Sequence, residues 1–157
     1  MKEDYYHIVN TVNKSKFYPQ NEIISSFTTD IQKSVAVCMW DYVRSHLDNL
    51  HNTLEASERD DVDNGYYVLS KVKKDFCDMF YMDTGVCINW KDHCILCSYH
   101  KKYDGSSLCG KCPLVSCASL SKNPYHTLVE YICHNEKKDN ALSAIDSIIK
   151  AIREMQL

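Results

Sequence analysis

The sequence is poor in the residues that interrupt regular structure, with only four glycines and three prolines among 157 residues. A β-sandwich or β-barrel needs a turn signal about every ten residues, and this chain does not supply them. It also lacks any run of about eighteen apolar residues, so it predicts no transmembrane helix. Long helices in a soluble single domain, residues 1–157, are therefore the expectation.

An excess of charge of either sign is also missing, since the formal net charge is −3 and the signs are interspersed. Nucleic-acid binders usually carry a basic excess on one face, and none is visible over the whole chain. The first residues, M-K-E-D-Y-Y-H, lack the apolar core of a signal peptide. These features predict a cytoplasmic protein without membrane association.

Cysteine, by contrast, is abundant, with nine residues. In a reducing cytoplasm, cysteines at short fixed spacing are more often metal ligands than disulfides. An odd number also excludes a fully paired set within one chain. Cys38, Cys77 and Cys133 stand singly inside apolar helical patterns, and we expect them to be buried as small hydrophobic residues.

Apolar periodicity predicts a mainly α fold of about five helices. They are expected at residues 2–13, 30–57, 67–82 and 123–134, with a last helix capped by Asp139 that carries apolar residues to Met155. A solvated turn is expected at Glu58–Gly65, and a short strand at Val86–Trp90. The last two helices are predicted to form an antiparallel hairpin because the loop between them is short.

The segment from Trp90 to Cys117 contains two C-x-x-C pairs separated by eleven residues. Structural zinc takes four sulfur or nitrogen ligands in a tetrahedron, and each pair can direct two thiolates at one ion. The spacing predicts a structural Zn²⁺ ion held by Cys94, Cys97, Cys109 and Cys112 in a knuckle-like or ribbon-like lobe, residues 86–120, between helices three and four. Cys117, His93 or His100 could replace one thiolate, and an iron–sulfur cluster is the alternative cofactor.

A four-coordinate zinc ion has no open position for water, so this site is not expected to catalyse a reaction. Phosphate-binding glycine loops and the common hydrolase motifs are absent from the sequence. Asp92 and His93 beside a C-x-x-C pair resemble the start of an HNH nuclease site, but Asn123 and His126 continue that pattern poorly. We therefore expect a protein that is not an enzyme.

One resemblance concerns the cysteine segment alone, about a fifth of the chain. Its order of C-x-L-C, a tyrosine, C-x-x-C-P-L, a further cysteine and P-Y resembles small uncharacterised bacteriophage proteins. The matching residues are Cys94, Leu96, Cys97, Tyr99, Cys109, Cys112, Pro113, Leu114, Cys117, Pro124 and Tyr125. The resemblance implies a zinc-binding viral accessory protein in the host cytoplasm and brings no known activity.

Eleven tyrosines and two tryptophans make a protein-binding function the leading hypothesis, since these residues are favoured at interfaces. A phage factor that modulates a host protein is one form of it, and a homodimer through the long or last helix is another. The alternative is that these aromatic residues are simply core and half-buried surface residues. The second hypothesis is nucleic-acid binding through a basic and aromatic cluster: His93, Tyr99, His100, Lys101, Lys102 and Tyr103.

Overall fold

The computed structural model describes residues 2–16, 22–90, 93–96, 124–134 and 137–155. The helices in these ranges are α1 (Lys2–Ser15), α2 (Thr29–Ser45), α3 (Leu47–His51), α4 (Val62–Thr84), α5 (Pro124–Cys133) and α6 (Lys138–Glu154), with 3₁₀ turns at Ile24–Ser26 and Ala56–Glu58. The predicted mainly α class is confirmed. The predicted zinc-binding loop falls for the most part outside the described residues.

One hydrophobic core joins all six helices. α5 packs on α6, α2 packs on α6 and α4, and α1 lies across α2 and α4. The fully enclosed side chains include Val12, Val35, Trp40, Phe76, Phe80, Leu128, Ile145 and Ile152. Each such aliphatic or aromatic side chain gains about 1.5–3 kcal/mol from burial. The apolar stripe predicted for the last helix is confirmed, because Ile145, Ile148, Ile149 and Ile152 all face the core.

Three helix boundaries follow the sequence signals. The hydroxyl of Thr28 accepts a hydrogen bond from the Ile31 N–H and caps α2. Gly85 ends α4 in the left-handed conformation, with φ of 70°, as the predicted stop requires. α5 begins at Pro124, the predicted first helical position, whereas α6 begins at Lys138, with Asp139 inside its first turn.

The single helix predicted at residues 30–57 is wrong, because α2 ends at Ser45 and α3 begins at Leu47. At the break, the His46 N–H bonds to the Val43 carbonyl instead of the Tyr42 carbonyl. The Tyr42 carbonyl accepts from the Ser45 hydroxyl at 2.7 Å and lies 2.8 Å from the His46 ring Nδ1. Side chains therefore satisfy a backbone group that the continuing helix would have used.

The turn predicted at Glu58–Gly65 is wrong at its end, because α4 begins at Val62 with Asp61 as its N-cap. Gly65 is buried in the first turns of that helix and does not lie in a solvated turn. A Cβ atom there would lie 2.4 Å from the Cys133 Sγ atom and 2.8 Å from Val129 Cγ1. The glycine is thus needed for close helix contact.

The strand predicted at Val86–Trp90 is reduced to one isolated parallel bridge between Ile23 and Cys87. Two backbone hydrogen bonds make it: the Ile24 N–H donates to the Cys87 carbonyl, and the Cys87 N–H donates to the Glu22 carbonyl. The bridge fixes the chain after Gly85 against the segment between α1 and α2.

The burial predicted for three helical cysteines is confirmed, since Cys38, Cys77 and Cys133 are all buried. No helix in the described ranges combines the length and apolar character needed to cross a membrane.

Gly65→Ala tests the close contact between α4 and α5. The added methyl group must displace Cys133 or Val129, so we expect a loss of about 1–3 kcal/mol in the free energy of unfolding. Chemical denaturation monitored by circular dichroism measures it. Ser70→Ala, at an exposed position of the same helix, is the matched control and should not destabilise the protein. Equal stabilities for the two variants would show that the contact is loose.

Candidate functional site

The structure describes only one of the four predicted zinc ligands. Cys94 is described and is only 3% exposed. Cys97, Cys109 and Cys112 lie outside the described residues, as do the alternatives Cys117 and His100 and the predicted basic and aromatic cluster apart from His93. The four-cysteine set therefore remains a prediction, and the site must be judged from the two ends of the cysteine segment.

The first end of the segment is anchored in the core. Trp90 is 3% exposed and its ring N–H donates to the Gln32 side-chain oxygen at 3.3 Å. Cys94, Ile95 and Leu96 are all buried. The first part of the cysteine segment is therefore packed into the hydrophobic core.

A cysteine of α4 meets this base. The Cys77 Sγ atom lies 3.9 Å from the His93 ring Nδ1, and His93 itself has a positive φ of 55°. Such a backbone conformation is uncommon for a residue with a side chain. Burial, with the nearby Asp78 carboxylate adding to it, raises the pKa of the Cys77 thiol to about 12. Cys77 is therefore a neutral thiol near pH 7 and packs as one.

The helix that follows the segment, α5, meets α4 one turn from Cys77. Lys73 is fully buried, and its ammonium group donates a hydrogen bond to the Tyr125 hydroxyl. The same ammonium lies 4.8 Å from the Tyr125 ring centroid and 5.7 Å from that of Trp40. Aromatic faces attract a cation most strongly where water is excluded.

Lys73 and Cys77 are four residues apart and thus neighbours on one face of α4. Through them, His93 near the start of the cysteine segment and Tyr125 in the helix that follows the segment contact α4 within one helical turn of each other. Gly65 meets Val129 and Cys133 farther along, so α4 and α5 run in opposite directions. We call this meeting place, formed by Lys73, Cys77, His93 and Tyr125, the segment base.

Next to the segment base, His126 of α5 and His134, the residue that follows α5, share one carboxylate. The His126 Nε2 atom lies 3.3 Å from one Glu130 oxygen, and the His134 Nδ1 atom lies 2.7 Å from the other. The positions 126, 130 and 134 are each one turn apart and so share a face. The His126 Nδ1 atom is buried and makes no hydrogen bond.

Among the residues that the structure describes, no three His, Cys, Asp or Glu side chains converge on one point as a metal site requires. Sequence reasoning did single out Cys94 and His93 but missed the burial of Lys73. The signal was available in part: Lys73 follows Leu69 and precedes Phe76 and Cys77 on the inward face.

The outer face of α4 exposes large side chains. Tyr67 is 69% exposed, Tyr81 56% and Met82 85%. Steps of 100° per residue place all three on the side opposite the core, together with the ion pair of Lys74 and Asp78. We call these five residues the α4 outer face. Other tyrosines are in the core: Tyr5 and Tyr131 are buried, as the alternative hypothesis expected.

A family model described as the Euplotes octocarinatus mating pheromone protein matches residues 7–136. The match extends from α1 past the end of α5 and includes the cysteine segment. No curated protein and no solved structure matches the chain. The match does not bear on the resemblance to bacteriophage proteins, which remains a prediction.

Tyr125→Phe tests the segment base. The change removes the hydroxyl that accepts from the buried Lys73 ammonium, and a hydrogen bond to a charged group is worth about 1.5–3 kcal/mol. We expect a loss of that size in the free energy of unfolding, measured by urea denaturation. Tyr67→Phe removes the hydroxyl of an exposed tyrosine and should change stability by less than about 0.5 kcal/mol. A neutral Tyr125→Phe variant would contradict the assignment.

Proposed function

The chain belongs to the Euplotes octocarinatus mating pheromone protein family, and we propose that it is a protein signal that acts by binding another protein. The family model covers residues 7–136, which include α1 from His7 onward and all of α2, α3, α4 and α5. A signal of this kind needs a stable surface and a partner, and it needs no catalytic group. The proposal agrees with the expectation of a protein that is not an enzyme and acts by binding another protein. It adds that this binding transmits a signal.

The single observation that supports a binding surface is the α4 outer face. Tyrosine and methionine are enriched in protein interfaces, where large side chains gain energy when a partner removes them from water. Tyr67, Tyr81 and Met82 expose more than half of their surface to solvent. α4 is also packed firmly on its other side through Leu69, Phe76 and Phe80, which are fully buried. A rigid helix can therefore present these side chains without a loss of order on binding.

The partner we propose is a receptor protein on the surface of a responding cell. A mating signal passes between cells, so the site of action is outside the cell that makes it and differs from the cytoplasmic location that the sequence predicts. Because cysteines outside the cell commonly form disulfides, the zinc proposal below rests on the C-x-x-C spacing and not on a reducing compartment. Nucleic-acid binding through His93 and the cluster from Tyr99 to Tyr103 stays a prediction, because all of that cluster except His93 lies outside the described residues.

We further propose that a structural Zn²⁺ ion holds the cysteine segment, with ligands from Cys94, Cys97, Cys109 and Cys112. Its supports are the two C-x-x-C pairs and the meeting of both segment ends on α4. Cys38, Cys77, Cys87 and Cys133 are thiols within the fold. The remaining five cysteines all lie in the segment. When bound, zinc would cross-link a long loop whose flanking residues both contact α4. In theory, a cross-link stabilises a protein most when the loop that it closes is long.

Substitutions on the α4 outer face test the binding function. We expect the double change of Tyr81→Ala and Met82→Ala to weaken binding at least about tenfold, since interface hot spots cost more than about 1.4 kcal/mol when truncated. The stability should stay within about 0.5 kcal/mol of the original because both side chains are exposed. Binding of fluorescent protein to intact Euplotes octocarinatus cells measures the effect, and induction of mating pairs gives a second readout.

The control is Lys150→Ala, an exposed substitution on α6 away from this face. It should leave cell binding unchanged. Failure of the unmodified protein to bind cells would refute the signalling proposal. Equal binding by the double variant and the control would refute the assignment to this face alone.

Cys94→Ser tests the zinc proposal. A structural zinc ion can contribute about 10–16 kcal/mol to folding in small domains, so loss of one ligand should remove the bound zinc and lower the melting temperature. Cys87→Ser changes an exposed thiol outside the C-x-x-C pairs and should alter neither quantity. Elemental analysis and calorimetry provide the data. A Cys94→Ser variant that kept one zinc per chain and its original melting temperature would rule Cys94 out.

A further inference from the structure

The exposed side of α4 carries its charges in a fixed order. Lys71 and Asp75 are exposed, and steps of 100° per residue place them on the same side as Lys74 and Asp78 of the α4 outer face. The two lysines come first along the helix and the two aspartates follow. An acidic residue placed before a basic one stabilises a helix better than this order does. The order therefore contributes little to α4 alone.

Half of these charges have no oppositely charged partner in the described part of the chain. Lys74 and Asp78 form an ion pair at 2.8 Å, with side chains that are 61% and 62% exposed. Lys71 and Asp75 are also one turn apart, but they form no ion pair with each other or with any other described residue. All four charges are thus open to a partner from solution.

A second copy of α4 that runs in the opposite direction matches this order with opposite charges. When a two-fold axis passes between Lys74 and Asp75, Lys74 of each copy lies opposite Asp75 of the other. The same axis places Lys71 opposite Asp78. Every contact across a two-fold axis occurs twice, so the two copies face each other with four pairs of opposite charges.

The exposed apolar side chains obey the same symmetry. Tyr67 and Met82 are equally far from that axis along the helix, so they lie opposite each other, with Tyr81 beside them. These three side chains are 69%, 85% and 56% exposed. The pair of helices is therefore charged at its centre and apolar at both ends.

Other alignments of two copies bring like charges together. An axis through position 74 places Lys74 opposite itself, and an axis through position 75 does the same to Asp75. A parallel pair sets every charge opposite its own copy. Repulsion of this kind gives an interface its specificity as much as attraction does. The charges thus select one antiparallel alignment.

We propose that the α4 outer face, together with Lys71 and Asp75, binds a second copy of this chain in an antiparallel dimer with two-fold symmetry. Burial of the apolar ends supplies the attraction, and the central charges set the alignment. The stripe from Tyr67 to Met82 is only about 22 Å long, so the dimer is small and dissociates on dilution. A receptor that binds the same face competes with the second copy, but the dimer does not depend on the receptor.

Sedimentation velocity of the purified full chain, over an about hundredfold range of concentration, tests the dimer. The unmodified protein should pass from monomer to dimer as the concentration rises. Asp75→Lys and Lys74→Glu each set like charges against each other at the centre, so each should weaken dimerisation at least about tenfold. An equal mixture of the two variants should form the dimer again, because opposite charges then meet at both central positions.

The matched control is Lys150→Glu, which reverses one charge of an exposed pair of the same spacing, Lys150 with Glu154 on α6. It should dimerise as the unmodified protein does. Circular dichroism should show the same helix content in all variants. A mixture that stays monomeric although both variants are folded would overturn the proposal, as would single variants that dimerise like the control.

The outcomes separate this proposal from the signalling function. An unmodified protein that stays monomeric over the whole range but binds cells refutes the dimer and keeps the signalling function. A protein that dimerises as described but does not bind cells supports the dimer and refutes the signalling function.

Discussion

The contact between α4 and α5 is the constraint on which the rest of the structure depends. These helices run in opposite directions and are joined in the chain by the cysteine segment. At one end of the contact, Gly65 has no side chain, so α5 can pack closely there. A Cβ atom at this position would lie 2.4 Å from the Cys133 Sγ atom. At the other end the Lys73 ammonium bonds the Tyr125 hydroxyl between aromatic rings. Together these contacts hold α5 against α4 over the length of the pair.

That arrangement explains how a small helical protein can carry a long cysteine-rich insertion. The entry residues Cys94 to Leu96 are buried, and the exit begins a helix whose other faces pack on α4 and α6. A metal ion at this place would add to the stability that these buried residues already provide. It would also leave the opposite side of α4, with its exposed tyrosines and methionine, free to bind a partner.

The fold class and most helices could be predicted from the sequence because apolar residues recur at helical spacing and few residues interrupt them. The errors occurred where side chains compete with the backbone or where a residue has two uses. The side chains of Ser45 and His46 both bond the Tyr42 carbonyl at the break in the long helix. The spacing of apolar residues does not predict such a break. Asn64-Gly65 looks like a turn, but Gly65 is selected by the approach of Cys133 and Val129, which are distant in sequence.

The candidate site shows the same division. The C-x-x-C spacing predicts a metal site from sequence alone, whereas the burial of Lys73 and of the unbonded Nδ1 atom of His126 depends on tertiary contacts. Native mass spectrometry of the purified full chain tests the central claim, that the cysteine segment is held by a metal ion at the segment base. The account predicts the mass of the fully reduced chain plus one zinc ion, with the zinc removed by a chelator. A zinc-free chain that is lighter by the hydrogens lost to disulfides would contradict it.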